Sequence, residues 1–215
     1  DLRAGKYGEE LWQSHFGPSW YSFDVGNVHY VVTPMLGGDH APSYRRSDII
    51  RWLKNDLAQT DKGKRIVLFN HDLWFWGDDL LFKDKNGEQI DFADYNLDAM
   101  IYGHWHNHYY KQLKSGLHTY CSSTPDKGGI DHGASCFRIY NADTKGKLSS
   151  ATRYTYIDAI LTSAYPAEGE TVSVPDGKMT VRINAYRTIS DAKKVTASVE
   201  RNGRLVSTVT LMPET

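Results

Sequence analysis

Arg65-Ile66-Val67-Leu68-Phe69-Asn70-His71-Asp72 and, further along, Ala99-Met100-Ile101-Tyr102-Gly103-His104-Trp105-His106 decide the reading of this sequence. Each is a short apolar run that ends in histidine. The first follows a polar stretch at 61–64, and a run of this length bounded by polar and turn-forming residues reads as a buried strand. In layered α/β proteins, the C-terminal ends of strands are where ligands bind. Neutral imidazole is the commonest protein ligand for transition metals. Two strands that each deliver histidine at that end therefore have the organisation a metal site needs. On an extended segment, the side chains of His104 and His106 alternate with Trp105 and point the same way. Gly103 before them permits close backbone approach. A lone histidine is ordinarily a surface or core residue, so the inference rests on the two motifs together and in this order.

Outward from these motifs, Tyr21-Ser-Phe-Asp-Val25 and Val28-His-Tyr-Val-Val32 flank Gly26-Asn27 and read as a tight hairpin. Residues 33–45, with Pro34, Gly37, Gly38 and Pro42, form a loop. Ser47 caps a helix that runs to about Ala58, with Ile50, Leu53 and Leu57 on one face. Residues 78–92 are charged and turn-rich, and read as an exposed excursion. Further strands are expected at 109–113, 118–122 and 134–141. After Asp158 the character changes: Pro166, Gly169, Pro175 and Gly177 mark turns, and 179–186, 194–200 and 205–211 alternate as short strands. That pattern reads as an antiparallel β-sandwich segment. No internal repeat or low-complexity tract is present.

The chain has 215 residues, 40% hydrophobic and 24% charged, which suits one sizeable globular unit and a smaller one. Its formal net charge of −1 argues against a broad nucleic-acid footprint, so an anionic ligand would have to be drawn locally. No apolar run reaches the ~20 residues needed to span a bilayer. Cys121 and Cys136 are too few for a disulfide framework or a thiolate metal site. Two small core hydrophobes is the leading reading for them, and a bridge between neighbouring strands is the other.

With the lone His71 after one strand and Gly103-His-Trp-His106 after a later one, the chain resembles the calcineurin-like metallophosphoesterases. The flanking text, Phe16-Gly-Pro-Ser-Trp-Tyr-Ser-Phe-Asp-Val-Gly-Asn-Val-His-Tyr30 and a helix carrying Trp52-Leu53, resembles that family too. The resemblance covers residues 1–157, the C-terminal part of the catalytic domain; 158–215 resembles an immunoglobulin-like accessory domain. It implies an α/β (α+β) fold of packed β-sheets flanked by helices, with the site at strand ends. It also implies that His71 and His104 bind one metal and His106 another, two ions in a full site, drawn from Fe, Mn or Zn. The implied activity is hydrolysis of a phosphomonoester or phosphodiester by a metal-bridging hydroxide. Family order places the Asp-x-His, Gly-Asp and Gly-Asn-His-Asp motifs, and with them the catalytic histidine, upstream of Asp1. The catalytic residue is therefore unassigned, and a missing N-terminal half of the same protein is the expected partner. Asp1-Leu2 reads as the end of the last of those motifs, and Gly38-Asp39-His40 as a loop at the cleft rim rather than a substitute ligand. An attached β-sandwich fits an extracellular, periplasmic or cell-surface location.

Around the histidines, Asn70 and Asp72 are candidates to orient His71 or to cap the strand end. Trp74 and Trp76 are candidates for core, or for an apolar wall beside a substrate's organic group. Lys127 and Arg138 are cations without a distinguishing context. His108 reads as a bystander, and His15, His29, His118 and His132 as structural. The other function class open to the chain is a non-catalytic binding module that retains a histidine-lined partial metal site.

Overall fold

The computed structural model describes residues 8–36, 42–188 and 190–213. Asp1-Leu2 and Gly38-Asp39-His40 lie outside the described residues. The chain is a β-rich α+β protein that divides into two compact units, residues 1–152 and 153–215.

The first unit is built on a six-stranded mixed sheet of order β1-β2-β3-β6-β8-β7. Its strands are β1 (Tyr21–Val25), β2 (Val28–Val32), β3 (Arg65–Phe69), β6 (Leu97–Tyr102), β7 (Tyr109–Gln112) and β8 (His118–Cys121). β1 pairs antiparallel with β2 through the Gly26-Asn27 turn, as the hairpin signal requires. β2, β3, β6 and β8 run parallel, and β7 returns antiparallel on β8. Parallel neighbours need crossover connections. Helix α2 (Arg46–Gln59) supplies the one between β2 and β3. Central parallel strands are covered on both faces and read as continuous apolar runs. That is why Ile66, Val67 and Leu68 are all buried.

On one face, Ile49, Ile50, Leu53 and Leu57 of α2 meet Val31, Ile66, Leu68, Met100 and Cys121. On the other, Val28, Val67, Ala99 and Tyr120 pack with Leu148 and the half-buried Tyr140. These two come from a second small sheet, β9 (Cys136–Ala142) with β10 (Leu148–Tyr154). A short helix α1 (Gly8–Phe16), not foreseen from the sequence, precedes β1.

Two local expectations are corrected. Arg45, not Ser47, is the N-cap of α2, because the Asp48 carboxylate accepts the Arg45 backbone N–H at 2.7 Å and fixes the first turn there. Residues 78–92 are no exposed excursion: β4 (Leu81–Lys83) and β5 (Gln89–Asp91) form a hairpin beside α2. Its Leu80, Phe82, Ile90 and Phe92 are buried in the α2-side core with Phe75. The charges that suggested exposure cluster at the Asp84–Glu88 turn, whereas every second residue of the strands points inward.

The second unit carries β11 (Ala159–Tyr165) paired with β12 (Arg182–Arg187), and β13 (Thr196–Arg201) paired with β14 (Arg204–Thr210). Both pairs are antiparallel and form separate two-stranded sheets. No helix among the described residues is long and apolar enough to cross a membrane.

Candidate functional site

The two histidine motifs are neighbours because β3 and β6 are neighbours, with Phe69 opposite Ile101. The backbone pairing runs past the formal strand ends: Asn70 N–H donates to Ile101 O at 3.2 Å, and Gly103 N–H to His71 O at 3.1 Å. His71 and Gly103 are thereby locked side by side at the C-terminal edge of the sheet. A Cβ on Gly103 would sit 3.4 Å from His71 Nδ1, so the glycine leaves the His71 ring its place.

The expectation of an extended His104-Trp105-His106 segment is corrected. His104 has φ +62° and His106 φ +49°, both in the left-handed region. Trp105 N–H donates to Gly103 O at 2.7 Å, so His104 is the centre of a three-residue turn of the rare positive-φ kind. Such backbone costs about 1–3 kcal/mol per residue and persists where surrounding structure enforces it, most often at functional sites. Here the Gly103–His71 hydrogen bond enforces it from one side. From the other, Ile130 N–H donates to His106 O at 2.7 Å and Asp131 accepts the His108 N–H at 3.3 Å.

The turn carries His104 back over His71. Their rings lie 5.2 Å apart and nearly perpendicular, with His71 Nε2 and His104 Nδ1 separated by 3.3 Å. Asp72 Oδ1 lies 3.7 Å from His104 Nδ1. His71 is an exposed residue, and partial desolvation holds it below the ordinary histidine value; Asp72 pulls the other way, and nearby His104 and His106 reinforce the lowering. A lowered value favours the neutral imidazole, the form that ligates metals. Two nitrogens bound at about 2.0–2.1 Å to one tetrahedral ion lie about 3.4 Å apart. The His71–His104 spacing matches one edge of such a coordination shell, and it is equally that of a hydrogen bond between the two rings. Among the described residues, no three His, Cys, Asp or Glu side chains are grouped to hold a metal ion, and His106 does not join the pair.

Asn70 is buried and fully used. Its amide donates to Thr33 Oγ1 at 2.8 Å and Pro34 O at 2.9 Å, while its Oδ1 accepts the Asp72 N–H at 2.7 Å. It ties the turn that carries His71 to the end of β2. Trp74 stacks flat on Phe82, with centroids 3.8 Å apart and 5° between planes, and belongs to the core. Trp76 is 68% exposed and rests on Trp105 at 5.0 Å.

His108, which reads as a bystander in the sequence, has a built environment. Its ring meets Arg138 at 3.1 Å, Thr152 at 3.3 Å and Cys136 Sγ at 3.6 Å. Arg138 lies over the Tyr120 ring and donates to Ser150. Only its strand position, paired in space with a loop histidine, reveals this, and spacing carries no such signal. Cys121 and Cys136 are both free and buried. Lys127 is exposed. No family model and no curated protein sequence matches the chain.

Proposed function

We propose that the protein is a metal-dependent phosphoesterase acting on a phosphomonoester or phosphodiester. In this reading residues 1–157 are the C-terminal part of a calcineurin-like catalytic domain, and 158–215 an immunoglobulin-like accessory unit. The observation that carries it is the convergence of His71 Nε2 and His104 Nδ1 to 3.3 Å at the ends of adjacent parallel strands. These two nitrogens would hold one Fe, Mn or Zn ion, with His106 assigned to a second. A further part of the same protein supplies the remaining ligands and the catalytic histidine. An ion held there supplies Lewis acidity toward a phosphoryl oxygen. This chain's own residues orient: Asn70 fixes the His71 turn and Asp72 faces His104. An extracellular, periplasmic or surface location goes with this proposal.

In the complete protein, His104→Ala and His106→Ala each abolish metal-dependent phosphoesterase activity. Near-normal turnover in either variant would falsify the ligand assignment. A second reading, a non-catalytic module with a partial metal site, is favoured by the fact that two nitrogens rather than three or more converge among the described residues. Elemental analysis separates the two: two tightly held ions per molecule support the enzyme, and one weakly held ion supports the module.

A further inference from the structure

Of the two tryptophans that follow His71, the core uses one and leaves the other. Trp74 is consumed by its stack on Phe82. Trp76 keeps 68% of its surface exposed, yet it is not a stray surface ring. It leans on Trp105 at 5.0 Å and 40°. Trp105 is itself held edge-on by Tyr102 at 5.2 Å and 84°, and by Tyr109 at 5.5 Å and 62°. The exposed indole is therefore backed by a half-buried ring that rests on two tyrosines, so its orientation is supported from beneath.

Trp105 also stands between His104 and His106 in the chain, one Cα step of about 3.8 Å from each. The aromatic array and the candidate metal ligands thus share a single turn of backbone. An exposed indole joined through Trp105 to the turn that carries His104 and His106 is matched by a ligand with a phosphate at one end and a planar ring at the other.

We propose that Trp76, backed by Trp105, is a stacking platform that selects phosphoesters whose organic group is an aromatic or heteroaromatic ring. The assignment rests on the phosphoesterase reading and names its substrate class. Indole stacking on such a ring is worth roughly a ten-fold gain in affinity. The test uses two phosphonates that resist hydrolysis, 1-naphthylmethylphosphonate and methylphosphonate, titrated by calorimetry into the zinc-equilibrated protein. The expected result is about ten-fold tighter binding of the naphthyl compound. Trp76→Ala abolishes that preference, Trp76→Phe retains most of it, and His104→Ala weakens both compounds. Equal affinities, or a preference unchanged in Trp76→Ala while His104→Ala still weakens both, overturns the platform and leaves the phosphoesterase reading standing. If 1-naphthylmethanol binds as tightly as the phosphonate and His104→Ala changes nothing, the phosphoesterase reading fails and takes the substrate assignment with it.

Discussion

Replacing Asn70 by aspartate changes one NH2 group into an oxygen and leaves the shape intact. The Asn70 side chain is buried, and its Nδ2 donates to Thr33 Oγ1 at 2.8 Å and to Pro34 O at 2.9 Å. Thr33 cannot turn to rescue the first contact, because its hydroxyl hydrogen is committed to Phe69 O at 2.9 Å. Asn70→Asp thus removes two donated hydrogen bonds, at about 1 kcal/mol net each, and sets an anionic oxygen against a buried carbonyl. The unsatisfied acceptor adds about 1 kcal/mol or more, so the loss at neutral pH is about 3 kcal/mol. The sign with pH follows from burial. The introduced carboxyl has a folded-state pKa raised above its unfolded value, so its penalty is full above the folded value and shrinks as pH falls through it, where the O–H again donates. Urea denaturation at neutral and at mildly acidic pH reads both quantities. A variant within a few tenths of a kcal/mol of wild type at neutral pH would refute the claim that Asn70 is the tie holding the His71 turn.

A Cβ on Gly129 would lie 2.8 Å from His106 O, a backbone atom already pinned by Ile130 N–H, so Gly129→Ala must push the loop off the histidine segment. We expect about 2 kcal/mol of lost stability with weakened metal retention, read by denaturation and by dialysis against chelator. Gly77→Ala is its control, since nothing stands within 4 Å of the new methyl and φ is not positive; its stability is expected to be unchanged or slightly higher. Asp24 bonds Lys64 at 2.7 Å and His29 at 2.7 Å, and these hydrogen bonds, that from Lys64 first, hold its carboxyl below the ordinary value of 3.8. The stability it contributes is present above pH 3.8 and lost as pH falls through the depressed value. An acid titration should therefore show wild type and Asp24→Asn converging at low pH, and a difference that persists there contradicts the assignment.

The sheet was legible where a single physical signal dominates. Gly26-Asn27 between two β-rich runs specifies a hairpin, and the apolar run before Asn70 specifies a buried strand, since a half-exposed strand would alternate. The hairpin at 81–91 was hidden because its charged turn outweighs four inward apolar residues that take their meaning only from α2 beside them. Helix α1 was missed because its nine residues carry only three apolar side chains, Leu11, Trp12 and Phe16, too few to set a helical period. For the site, the sequence showed which histidines lie at strand ends, and adjacency of β3 and β6 brings His71 and His104 together. It did not show the left-handed turn at His104, which depends on a hydrogen bond from Gly103 to another strand's end. Nor could it tell Trp74 from Trp76, because the distinction lies in Phe82 on a distant hairpin.

In the proposed site, His71 and His104 are two ligands of one ion. X-ray absorption at the zinc edge of the zinc-loaded protein tests it most directly, because imidazole scattering counts histidines. Imidazole nitrogens are expected at about 2.0–2.1 Å, with that contribution falling in His71→Ala and in His104→Ala. A shell of oxygen alone, or an imidazole contribution unchanged in both variants, would contradict it.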